Sequence, residues 1–426
     1  MTTRRKKLFL LLTSGALLFY ATSGVSSLLN YAIYPTVARF TTVAEYGEVQ
    51  FLLSAFNQLA VGFVVLNILA IIATAGVHKD RHPLQTIKSL NIAASVIASI
   101  VAIAGVLVIL LFADQLQLTS PLAIVLTGLA LILNVPFTIL LGQLQGQDRF
   151  AASAVISLVA TGGKFVLSLV LVAAGFGVAG VMMGVLLGML ASVITGRLLA
   201  GSPENKRISF RHHLSLLAPL RTYALAGLLA VGIVTILSSI DLIGARILLD
   251  STAAGKYAAV ATIAKIIIAA GSPLLWLSLP PALSGNLVLV KRYLILTAVV
   301  CAVSITIFNI APAALVQLVT SIDPGIYADL MLVASIGMSV YAMAFVLCAI
   351  LVCLREFRSL AVICFSSIGL VVALTTIATA LEGGMSITSL VYIQAATGSA
   401  LAIASFIVLM THVRKQQAQR TVKNKI

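Results

Sequence analysis

Five charged side chains stand out in a chain of 426 residues of which only 9% are charged. Lys164 and Lys265 lie inside long apolar runs, Asp241 sits near the end of another, and Arg39 and Arg246 follow the ends of two of these runs. An ionised side chain in hydrocarbon costs about 2.5–3.5 kcal/mol on insertion scales, so such residues face a partner or a wet cavity rather than lipid. Ser157, Thr161, Lys164 and Ser168 follow one another at spacings of four, three and four, which sets them on one helical face. Lys265 has Thr262 and Ser272 at one-face spacing. Cations with hydroxyl neighbours suit the binding of an anion; a lysine satisfied by a neighbouring carbonyl is the alternative. Arginine offers phosphate oxygens a planar, bidentate fork. Arg39 and Arg246 could therefore meet an anionic ligand, or could anchor helix ends, with Arg39 paired to Glu45 or Glu48. Asp241 and Lys265 fall at similar depths on the two sides of the turn near Ser251 and could form an ion pair. Asp241 is also the one near-membrane carboxylate suited to ion coupling. Asn30, Tyr31 and Tyr34 add a polar and aromatic stripe that could contact ligand hydroxyls or mark a membrane interface.

The elements that must position these residues are membrane helices. An apolar content of 61% and a mean hydropathy of +1.14 exclude an ordinary soluble domain. About 20 apolar residues cross the hydrocarbon layer, and twelve such runs can be drawn, approximately 8–34, 49–77, 89–113, 121–143, 151–174, 176–199, 214–241, 257–283, 293–319, 327–354, 358–381 and 386–410. Nothing alternates as barrel strands would, so the expected fold is all-α and polytopic. The first run follows "MTTRRKK" but is too long for a secretory signal and reads as a retained span. Cys301, Cys348, Cys353 and Cys364 fall in apolar runs and read as small hydrophobes.

Charge sets the orientation. With the N-terminus cytoplasmic, all but five of the 27 basic residues fall on the inner side; the exceptions are Arg39, Arg246, Lys256, Lys164 and Lys265. By the positive-inside rule both termini are cytoplasmic. The net charge of +15 then needs no nucleic acid as partner. The tail "HVRKQQAQRTVKNKI" reads as a topology anchor, with membrane lipid as its other candidate contact.

The longest polar interruption, "GSPENKRISFRHH" at 201–213, divides the spans six and six. The expected organisation is a lobe over 1–200, a cytoplasmic linker over 201–213, a second lobe over 214–412 and a basic tail over 413–426. An even number of spans per half makes any repeat parallel. "ARFTTVAEYGEVQFLLSA" (38–55) is echoed by "ARILLDSTAAGKYAAVATIAK" (245–265), with Arg39 aligned on Arg246.

Enzymatic chemistry finds no support. There is no GxxxxGK[ST] and so no ATP site. His78, His82, His212, His213 and His412 all lie in cytoplasmic loops or the tail. No nucleophile-base set forms at one depth, and neither a metal nor a cofactor is expected.

Asn30-Tyr31, Ala38-Arg39 and "AEYGEV" resemble the first hairpin of polysaccharide biosynthesis flippases, the Wzx-type O-antigen translocases of the MOP/MATE-like exporter superfamily. "LLGQLQGQDRF" (140–150) is similar to that family's fourth-span ending, and "AGKYAAVATIAK" (254–265) to its eighth helix. The resemblance implies the flipping of a lipid-linked oligosaccharide, of the undecaprenyl-pyrophosphate type, across a bacterial cytoplasmic (inner) membrane. It also implies a polysaccharide polymerase and a chain-length regulator as partners. Lys164, Lys265, Arg39 and Arg246 would offset the pyrophosphate charge, with Asn30 and Tyr31 beside them. A drug or metabolite antiporter of the same superfamily is the rival; it requires an acidic site within the spans, and buried carboxylates are scarce. A membrane scaffold or transferase of envelope assembly is a third class.

Overall fold

The computed structural model describes residues 3–37, 39–75, 83–113, 118–201, 216–241, 245, 251–320, 330–382 and 385–423. Among them every regular element is a helix. The first half contains α1 (Thr3–Val37), α2 (Val43–Val61), α3 (Val64–Thr74), α4 (Pro83–Leu111), α5 (Pro121–Gly146), α6 (Phe150–Leu171) and α7 (Gly177–Ala200). The second contains α8 (Arg221–Leu237), α9 (Ser251–Leu283), α10 (Leu287–Ile310), α11 (Pro312–Thr320), α12 (Met331–Cys353), α13 (Phe357–Glu382) and α14 (Ile387–Lys423). Pairing α2 with α3 and α10 with α11 gives the twelve expected spans. The fold is all-α and polytopic, with about 12 transmembrane helices.

Helix ends are where the sequence shows its local logic. Thr42 caps α2 in a capping box: its hydroxyl accepts from the Glu45 amide, and the Glu45 carboxylate accepts from the Thr42 amide at 2.8 Å. Ser120 caps α5, with Pro121 in the first helical position where its missing N–H costs nothing. Between α6 and α7 the chain turns through a five-residue π segment, Val172–Phe176, followed by Gly177; Gly175 has φ +88° and Gly177 φ +51°, conformations that glycine adopts without strain.

The chain divides into two compact units, Met1–Ala224 and Leu225–Ile426. In the first, α5 is the central helix, packed against α3, α4 and α7, while α1 lies along α6 and α6 along α7. Its core gathers Ile33, Leu52, Phe56, Ile124, Leu131 and Met182 among others. In the second, α12 is central, packed against α9, α10 and α14. The fourth span of each half therefore touches the second, third and sixth of its own half. By contrast α4 and α10, the third span of each half, present most of their apolar surface outward, as helices solvated by lipid do.

The turns that follow the two central helices repeat each other. Asp148 has φ +56° and Arg355 φ +63°. In both turns the next amide closes a six-residue Schellman loop, Arg149 to the Leu144 carbonyl at 2.8 Å and Glu356 to that of Leu351 at 3.0 Å. Asp148 and Arg355 are 207 positions apart, the same interval that separates Arg39 from Arg246. Each turn is tied to the last helix of its half: Arg149 donates to the Leu199 carbonyl at 2.9 Å, and Glu356 pairs with His412 at 2.7 Å.

Candidate functional site

Lys164 is placed by two backbones that approach each other closely. On α7 a small residue recurs every fourth position, Gly180, Gly184, Gly188, Ser192 and Gly196. A Cβ on Gly188 would stand 2.4 Å from the Lys164 nitrogen, and one on Gly184 would stand 2.3 Å from that of Ser168. Small-residue ladders of this kind let membrane helices meet at the backbone, where side chains of ordinary size would hold them apart. The Ser168 hydroxyl crosses the interface to donate to the Val181 carbonyl at 2.8 Å.

With α7 against its back, the Lys164 side chain is turned toward α1. Its Nζ donates to the Asn30 Oδ1, and only 8% of the residue is exposed. No carboxylate pairs with it among the described residues. An ammonium has three donors, and a single neutral acceptor leaves its charge uncompensated. This arrangement can hold an anion.

The second unit uses its charges differently. Lys265, on α9, donates to Asp241 Oδ1 at 2.9 Å, and the Tyr257 hydroxyl, two turns away on α9, donates to Oδ2 at 2.8 Å. Asp241 is 3% exposed, and both of its oxygens are engaged. The ion pair anticipated across the hairpin is present; Tyr257 is a third member that sequence reasoning did not single out. Two further buried bonds reach α14: the Gln394 amide donates to the Leu237 carbonyl at 3.0 Å, and Thr397 shares a 2.9 Å bond with Tyr341. The cavity beside Tyr257 and Gln394 has a volume of only about 10 Å³. That is room for one water and not for a substrate.

The two acids expected as partners of Arg39 are engaged elsewhere. Glu48 is 4% exposed, and its carboxylate accepts from the Thr119 amide and hydroxyl at 3.0 and 2.8 Å and from the Ser120 amide at 2.9 Å. An anion there satisfies amides that the start of α5 leaves without helical partners. Glu45 is taken by the α2 capping box, so neither acid pairs with Arg39. Arg39 lies exposed in the turn between α1 and α2, with no side-chain partner among the described residues. Of the remaining candidates, Asn30 meets Lys164, while Arg246 and the side chains of Tyr31 and Thr262 lie outside the described residues. The stripe around Lys164 also divides, since Thr161 donates to the Ser157 carbonyl of its own helix at 2.9 Å.

No protein-family model matches the sequence, and no curated protein matches it. Solved structures do match its fold. An outward-facing multidrug resistance MATE family transporter of the MOP superfamily superposes with a TM-score of 0.73 over 96% of both chains at 12% identity. A MATE transporter of Vibrio cholerae gives 0.70 over 98% of this chain and 97% of its own, at 13% identity. A MOP superfamily transporter from Pyrococcus furiosus, described as having a binding pocket of reverse polarity that suggests a different function, gives 0.69 over 96% of both chains at 14% identity. The chain shares the fold of these transporters.

Proposed function

We propose that this chain is a membrane transporter that flips a lipid-linked oligosaccharide, with a pyrophosphate head, from the inner to the outer leaflet of a bacterial cytoplasmic membrane by alternating access. The observation that carries the reading is Lys164: a buried ammonium held by a neutral amide, with no carboxylate among the described residues to consume its charge. Charge-assisted hydrogen bonds to phosphate oxygens are among the stronger polar contacts. Lys265 is held by Asp241 and is assigned a structural part, unless substrate displaces the carboxylate. The two lobes would expose this site to one leaflet at a time. The sugar would cross wet and the lipid tail would stay in the bilayer.

The rival, an ion-coupled drug or metabolite antiporter, is favoured by the names of the MATE structures that share the fold. It needs a buried carboxylate free to take a cation. Among the described residues the two buried acids, Glu48 and Asp241, are both fully engaged. The Pyrococcus furiosus transporter is a precedent for this fold with a pocket of altered polarity. Deleting the gene separates the readings. Lipid-linked repeat units accumulating on the cytoplasmic face support flipping, whereas drug sensitivity with normal surface glycan sinks it.

A further inference from the structure

In the first unit a cavity of about 320 Å³ opens between α4 and α7 over the floor of α5. Lys88 and Asn91 line it from α4, Gln143 and Pro136 from α5, and Arg197 from the last turn of α7. Charge places both cations on the cytoplasmic side of the membrane. The cavity is built rather than incidental: Gln143 on the floor is only 4% exposed, and on the α4 wall the Asn91 Oδ1 is buried with no hydrogen-bond partner among the described residues.

The walls that lead away from this foot are apolar and uncovered. From Lys88, Ile92, Val96 and Ile100 follow at four-residue steps on α4, with exposures of 46%, 56% and 63%. From Arg197, Ile194, Leu190 and Leu187 run along one face of α7, exposed by 53%, 41% and 37%. The α7 series keeps to one helical face with Arg197, while the four-residue steps on α4 form a ridge that winds outward from Lys88 by about 40° a step, so both series lead from a basic residue onto the exposed apolar surface.

We infer that this groove binds an anionic phospholipid of the inner leaflet: Lys88 and Arg197 take the phosphodiester, Asn91 and Gln143 take headgroup hydroxyls or ester oxygens, and the stripes on α4 and α7 hold the acyl chains. Basic pockets between spans on the cytoplasmic side have the chemistry that recognises such headgroups. A free phosphate would use the foot alone and leave the apolar walls without an occupant. The site is separate from Lys164, and the inference does not depend on what the chain transports.

The test uses the purified full chain in a neutral detergent, titrated with phosphatidylglycerol, phosphatidylcholine or inorganic phosphate while thermal unfolding is followed. Phosphatidylglycerol should raise Tm saturably, and phosphatidylcholine and phosphate should not. Arg197→Gln, at an exposed helix end where folding is not at risk, should weaken the apparent affinity about fivefold, and Lys88→Gln with Arg197→Gln by more. Lys291→Gln with Arg292→Gln, which removes the same charge elsewhere on that side, should leave the affinity unchanged. Equal stabilisation by phosphatidylcholine, saturation by phosphate alone, or an Arg197→Gln titration that matches the parent would each overturn the assignment. Phosphatidylglycerol retained through purification, counted by native mass spectrometry, supplies a second readout and should fall in Arg197→Gln.

Discussion

Lys265 and Asp241 stand 2.9 Å apart on the two sides of one hairpin, with the carboxylate almost wholly buried and the lysine side chain 18% exposed. Breaking such a pair from one side strands the other charge, at a typical cost of about 3–5 kcal/mol, whereas replacing both by apolar groups of similar volume is often neutral. Asp241→Ala should therefore lower Tm sharply, and Asp241→Leu with Lys265→Met should recover most of the loss. A double mutant as unstable as the single one would show that the pair does more than neutralise itself.

Among the described residues Lys164 has no such partner to strand. Lys164→Met should keep or raise thermal stability while surface glycan falls by roughly tenfold, since a charge-assisted hydrogen bond contributes about 1.5–3 kcal/mol. Lys164→Arg should keep part of the activity. Wild-type glycan levels in Lys164→Met at equal expression would remove the residue from transport.

The glycine ladder separates positions that look alike in sequence. Gly188→Ala and Gly184→Ala would push a methyl group into the α6 backbone and should each cost about 1–3 kcal/mol. Gly162→Ala adds a methyl in open space and should be neutral or stabilising by up to about 1 kcal/mol. Thermal unfolding of the three variants side by side checks the ranking.

The α2 capping box gives a pH dependence of known sign. The Thr42 amide, and then its hydroxyl, hold the Glu45 carboxyl below its ordinary range. A lowered folded-state value means that the stabilisation is present above the ordinary carboxylate range and is lost as pH falls through the folded value. Because Glu45 is solvent-facing, the effect is small: Thr42→Ala should cost about 1 kcal/mol at neutral pH. The difference between variant and parent should shrink on acidification, and unfolding followed at neutral and acid pH checks this.

The twelve spans were legible in the sequence because hydrocarbon imposes length and composition on each helix separately. The Asp241–Lys265 pair was legible too, since both lie at one depth beside one turn. What composition and depth could not supply was contact between distant segments. Glu48 looks like a surface acid until the start of α5, about seventy residues on, is folded over it. Asn30 and Lys164 are brought together only because α1 lies along α6. The ladder from Gly180 to Gly196 did carry a signal, a small residue at every fourth position, but in a chain with 30 glycines it is easily passed over. Arg39 showed the limit of reading charges by proximity, since the two acids nearest in sequence are both committed elsewhere.

That ladder also has a mechanical consequence. Where α7 meets α6 at Lys164 there is no layer of side chains to compress or to change rotamer, because the Gly188 backbone lies directly on the Lys164 peptide. The two helices meet there backbone to backbone, so any shift that carries Gly188 toward α6 is met by the peptide from which the ammonium's side chain springs.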